Sequence, residues 1–221
     1  MTTRTEEIST AVKTVAEGLT ETLAHAERSL ESARSKAETA AIHGWGGVSA
    51  NMELAAEHLE GVVEQLGSTQ QACEIASSVL EAITDMMSSP EIVEHLVTTL
   101  GELNTATGTA EAAISLVDDA VTACEAACQE SLPVSLQNLR EQGEEIHERL
   151  GRLRDDTDAE RQHAETWSAD HEEQVGAPGN RPGPATQRSS ALPHFVFTPE
   201  WLRTSREKSK ASSRSGTRRR R

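Results

Sequence analysis

The feature that most constrains this chain is an apolar stripe of 4-3 spacing that runs through four long segments without losing phase. From Ile8 the steps land on Val12, Val15, Leu19, Thr22, Ala26, Ser29, Ala33, Ala37 and Ala40. Beyond a glycine cluster they give Val48, Met52, Ala55, Leu59, Val62, Leu66, Thr69, Cys73, Ala76, Leu80, Ile83 and Met87. A third run holds Ile92, Leu96, Thr99, Leu103, Ala106, Ala110, Ala113, Val117, Ala120, Cys124 and Ala127, and a fourth Leu132, Leu136, Leu139, Gly143, Ile146, Leu150 and Leu153. A mean step of 3.5 lays these side chains along one face of an α-helix and is incompatible with the two-residue alternation of a strand.

The joints between runs are turn chemistry. Gly44, Gly46 and Gly47 separate the first two; Ser88-Ser89-Pro90-Glu91 has capping-box spacing with proline in a first helical turn; Ser131-Leu132-Pro133 marks the third joint. The expected helices are 5–42, 48–88, 90–130 and 133–168, each about 60 Å long. The stretch LNTATGTA is a poor helix former, which predisposes residues 103–110 to fray or break. Beyond Asp155 the stripe fades into charge, with Ala164 and Trp167 as its last candidates. Similar lengths and short joints predict an all-α fold, either an elongated antiparallel four-helix bundle or paired long helical hairpins, followed by a disordered C-terminal tail.

The stripe is poor in large side chains, and the whole chain has two Phe, three Trp and no Tyr. A buried Leu or Val contributes roughly 1.5–3 kcal/mol, against an ordering cost near 1.5 kcal/mol per residue. An isolated hairpin would therefore be marginal. The helices must gather into one bundle, or a second copy or another protein completes the body. No run approaches the 18 apolar residues of a membrane span, and MTTRTEEIST lacks the apolar segment of a signal peptide. The expectation is a cytoplasmic protein, or alternatively one secreted without a cleavable signal peptide.

Charge divides the chain. Residues 1–175 carry 10 Lys and Arg against 34 Asp and Glu, a net −24, whereas residues 176–221 carry 11 against 2, a net +9. Between Ala37 and Leu139 there is no Lys or Arg against 16 acidic residues, a body that would repel a phosphate backbone. From Gly176 the composition turns Pro-, Gly- and Ser-rich, as in disordered segments. An apolar island, LPHFVFTPEWL, interrupts it and is expected to open a short helical stretch at 192–210. Its Phe195, Phe197, Trp201 and Leu202 are candidate anchors for a partner groove. Arg214, Arg218, Arg219, Arg220 and Arg221 are candidates for binding a polyanion, so nucleic acid is an alternative partner that the acidic body disfavours.

Trp45 lies where the first two helices reverse. Its flanking glycines permit positive φ, and the indole can cover the open end of the hairpin. A helix, a Trp-x-Gly turn (Trp45-Gly46-Gly47) and a second helix resemble the small WxG helical-hairpin family exported by type VII secretion systems, over residues 5–88. The family's Tyr-x-x-x-Asp/Glu export signal has no counterpart, because the chain lacks tyrosine. Residues 45–130 are more loosely similar to alanine-rich helical leader regions of bacterial polymorphic toxins and their companion proteins. These resemblances imply a secretion- or toxin-associated role.

Candidate chemistry is sparse. Cys124 and Cys128 are four apart on one predicted helix, but no matching His or Cys pair completes a zinc set, so they read, with Cys73, as small buried apolar residues. Glu144-x-x-His147 and Glu160-x-x-His163 have the spacing of half a di-iron site, yet lie about 24 Å apart on one helix by rise per residue. No Ser-His-Asp arrangement or phosphate-cradling loop is legible. The sequence thus predicts a non-enzymatic helical interaction or scaffolding protein without cofactor or metal, binding a protein partner or itself through its seams and tail.

Overall fold

A computed structural model describes residues 2–84, 86–128 and 131–176. They form four helices, α1 (Thr2–Ile42), α2 (Gly46–Glu81), α3 (Ser89–Ala126) and α4 (Ser131–Gly176). Each packs against two others, in the ring α1–α2–α3–α4–α1, so α1 and α3 face each other across the core, as do α2 and α4. Arg34 of α1 reaches Glu60 of α2, and Ser9 lies 3.4 Å from Ser77, so these two helices are antiparallel. Thr69 meets Thr109 of α3, and Arg140 of α4 meets Asp118. Of the two architectures expected, the single up-down-up-down bundle is the one observed. Residues 177–221 lie outside the described residues, and with them Phe195, Phe197, Trp201, Leu202, Arg214 and Arg218 to Arg221.

The stripe is the core. Every predicted seam position from Ile8 to Leu153 is buried except Val48 and Met87, which are half-buried. Helix ends differ more. α2 stops at Glu81 rather than 88, because the Ala82 N–H is shared between the Ser78 and Val79 carbonyls and Ile83 N–H donates to Leu80. This tightened last turn swings Ile83 inward, so the stripe outlives the helix. α4 begins before Pro133, whose missing N–H costs nothing in a first turn. Nor does its stripe fade after Asp155: Thr157, Glu160 and Ala164 continue it, buried, while Trp167 is half exposed. The Glu160 carboxylate sits 3.7 Å from the Arg4 guanidinium, and the Thr157 hydroxyl donates to the Leu153 carbonyl.

The expected weak point at LNTATGTA is continuous helix. Its threonines return their hydroxyls to carbonyls one turn back, Thr105 to Gly101, Thr107 to Leu103 and Thr109 to Thr105. Thr109 also bonds Thr69 across the α2–α3 interface at 2.7 Å. Propensity is overridden by hydrogen bonding and packing.

Side-chain size alternates across the core. In the half nearest the α1–α2 turn, α1 offers Ala26, Ser29, Ala33 and Ala37 and α3 offers Ala106, Ala110, Ala113 and Ala120. There α2 supplies Met52, Leu59 and Leu66, and α4 supplies Leu132, Leu136 and Leu139. In the other half the roles reverse: α1 brings Ile8, Val12, Val15 and Leu19 and α3 brings Ile92, Leu96 and Leu103, against Thr69, Cys73 and Ala76 of α2 and Thr157 and Ala164 of α4. Large faces small over much of the core, whereas at the end away from the α1–α2 turn Leu80 of α2 and Ile83 just beyond it join the bulky Ile8, Val12 and Leu96. Two glycines sharpen the fit. A Cβ on Gly61 would lie 3.0 Å from Leu116 Cδ1, and one on Gly143 would lie 3.1 Å from Ile114 Cγ1.

This division of labour predicts that Ala110→Leu, at a fully buried position, destabilises the bundle by about 1–3 kcal/mol despite leucine's hydrophobicity. Chemical denaturation of the full chain reads it; an unchanged or raised midpoint would contradict the packing described.

Candidate functional surfaces

The α1–α2 reversal is a glycine-capped helix end. Gly44 has φ +75; its N–H donates to the Ala41 carbonyl at 3.0 Å, and the Trp45 N–H reaches back to Ala40 at 2.9 Å. These two bonds and a left-handed residue form a Schellman cap. Trp45 then opens α2, its carbonyl accepting from Ser49 N–H at 2.9 Å. Ser49 ties the arms together by donating its hydroxyl to the Ala37 carbonyl at 3.1 Å. Only one of the three candidate turn glycines carries the reversal: Gly46 and Gly47 belong to α2, and a Cβ on either would meet open space.

The indole does not cover the hairpin end. Trp45 is 59% exposed and Ile42 is 75% exposed, and Trp45 stacks on the His43 ring at a centroid distance of 5.2 Å. Buried Ser49, Ala37 and Ala40 seal the hairpin beneath it. The result is an apolar and aromatic tip turned to solvent.

The three cysteines separate. Cys73 and Cys124 are buried and free. Burial pushes the Cys73 thiol up to about 12, with Glu74 adding to the rise, and pushes Cys124 up to about 11, with nearby Lys36 opposing. Cys128, expected to be a buried residue of α3, is instead exposed beyond the helix end with φ 55. It occupies the left-handed position where glycine is usual, so it shares no face with Cys124. Glu144 pairs with Arg140 at 3.2 Å, while Glu160 turns inward to Arg4. Among the described residues no three His, Cys, Asp or Glu side chains converge as metal ligands.

The acidic middle of the chain forms the solvent faces of α2 and α3. Cations on the flanking helices reach over to it: Arg34 to Glu60, Lys13 to Glu81 and Arg140 to Asp118. Such exposed pairs are worth about 0–1 kcal/mol each. The capping box predicted at Ser88 forms, the Glu91 carboxylate accepting from Ser88 N–H at 2.8 Å and from its hydroxyl at 2.7 Å. These bonds hold the Glu91 carboxyl below its ordinary range.

One constellation was illegible in the sequence. Between α1 and α4, the thinnest of the four helix interfaces, an open cleft is lined by His25, Arg28, Ser29, Leu132, Ser135 and Gln142. His25 Nδ1 lies 3.1 Å from Gln142 Oε1, and Nε2 lies 3.0 Å from Ser135 Oγ. Ser29 Oγ stands 3.5 Å from Ser135 Oγ. More than a hundred residues separate the two sides, so spacing alone gives no signal. The one available hint is that Ser135 and Gln142, seven residues apart, share a helix face.

Two measurements test these local structures. Gly44→Ala should cost about 1–2 kcal/mol, the penalty of a left-handed residue bearing a Cβ, whereas Gly46→Ala, with no neighbour to strike, should leave the denaturation midpoint unchanged or higher. In the native protein at pH 8 a disulfide reagent should modify one thiol, that of Cys128, quickly; Cys73 and Cys124 should react only on unfolding, since burial suppresses their thiolates. Set against protein-family models, curated proteins and solved structures, the chain matches none of them.

Proposed function

We propose that this chain is a non-enzymatic interaction or scaffolding protein that docks a protein partner through the tip of the α1–α2 hairpin. The observation that carries the reading is the exposure of Trp45 at 59% beside Ile42 at 75%. Half-exposed aromatic side chains in a fixed frame are the residues on which binding energy concentrates. The seams themselves are consumed inside one chain, so self-association through them requires the bundle to open; the tip requires no rearrangement. The basic tail is a second docking element in this reading.

The WxG-like, secretion-associated reading is the alternative, favoured by the position of Trp45-Gly46-Gly47 at the reversal of a long helical hairpin. Trp45→Ala separates fold from function in both cases. An exposed site leaves stability within about 0.5 kcal/mol of the parent, while loss of a binding anchor weakens partner affinity by 2 kcal/mol or more, roughly thirtyfold. Export predicts the chain in culture supernatant and its retention in cells when Trp45 is replaced. A variant that keeps its partner and its location overturns the role given to the tip.

A further inference from the structure

We propose that Ser135 is an activated nucleophile that accepts acyl or phosphonyl groups from electrophilic esters entering the α1–α4 cleft. The inference goes beyond the docking function and rests on separate residues. Gln142 Oε1 can only accept, so the His25 Nδ1 it faces at 3.1 Å carries the proton. In its neutral form the ring then presents Nε2 as an acceptor, to which the Ser135 hydroxyl 3.0 Å away can donate. With that proton committed to His25, the remaining contact at 3.5 Å has Ser29 donating to Ser135 Oγ. A nucleophile bonded to a base that is itself oriented by a third group is the arrangement that activates serine. Half-burial of both Ser135 and His25 at the wall of an open cleft leaves the oxygen reachable.

In the step, Ser135 Oγ attacks the carbonyl carbon or phosphorus of the ester while His25 Nε2 takes the hydroxyl proton. The bond to the leaving group breaks, alkoxide or phenoxide for an ester and fluoride for a fluorophosphonate, and that group receives the proton from His25. The products are the O-acyl or O-phosphonyl serine and the protonated leaving group. Gln142 orients the ring but brings no negative charge to an imidazolium, as a carboxylate would. The geometry therefore suits a single transfer better than rapid turnover. Leu132 gives the cleft an apolar wall, and Glu21 and Glu27 outnumber Arg28 among its charged lining residues, so neutral or cationic esters are the class that fits.

The test is labelling of the full-length protein with a fluorophosphonate, the site read by peptide mass. Ser135 should be modified far faster than the exposed Ser68 and not at all in Ser135→Ala. His25→Ala should slow the reaction about a hundredfold, the lower range for loss of a general base. Should that variant lose helicity, His25→Gln, which keeps a polar contact but no base, takes its place with the same expectation. Gln142→Glu should accelerate labelling. Reaction at Ser135 no faster than at Ser68, or a rate indifferent to removal of the imidazole in a folded variant, overturns the proposal.

Discussion

The structure depends on an exchange of side-chain size halfway along the bundle. No single helix here owns a fully apolar, bulky face. α1 and α3 are large near one end and small near the other, and α2 and α4 run the opposite way except at Leu80 of α2 and Ile83 just beyond it. Because the helices are antiparallel, bulk at many levels meets an alanine, serine or threonine. Slipping one helix by a heptad keeps its stripe facing inward but sets leucine against leucine at one level and alanine against alanine at another. The cost is overpacking in one place and cavities in the other. Register thus follows from volume, in a core with little aromatic material to lock it.

Polar groups in the seam are consistent with this scheme because they find partners one turn back or on the neighbouring helix. The threonine hydroxyls of α3 bond one turn back, and Thr69 bonds both the Gln65 carbonyl and Thr109. Ser89 donates to the Ala164 carbonyl at 3.0 Å, joining the start of α3 to the far part of α4. Satisfied in this way, hydroxyls fill positions that would otherwise need a methyl, at little energetic penalty.

The helical stripe was legible because its period is a local property, and burial follows period in every run. Helix ends were less legible. At α2 the stripe continues through Ile83 after the helix has stopped, and at α4 the charged residues beyond Asp155 hid Thr157 and Glu160, which are buried only because a neighbouring helix covers them. Glycine identity does not locate the reversal, since among the described glycines Gly44 alone has positive φ, and the Trp45 indole, expected to cover the hairpin end, is 59% exposed while Ala37, Ala40 and Ser49 are buried. The His25, Ser135 and Gln142 cluster depends on two helices at opposite ends of the chain being neighbours, which no spacing rule encodes.

The order of packing around the ring also bears on how the chain reaches this structure. Three of the four interfaces join helices consecutive in sequence, formed across short connections. Only the meeting of α1 with α4 brings together segments more than a hundred residues apart, and it is the thinnest of the four. Loop-closure entropy falls mainly on that last contact, and topologies dominated by local contacts fold quickly. The ring should therefore zip from hairpin to hairpin and shut last along the α1–α4 line. That line is also where the folded chain would first breathe open.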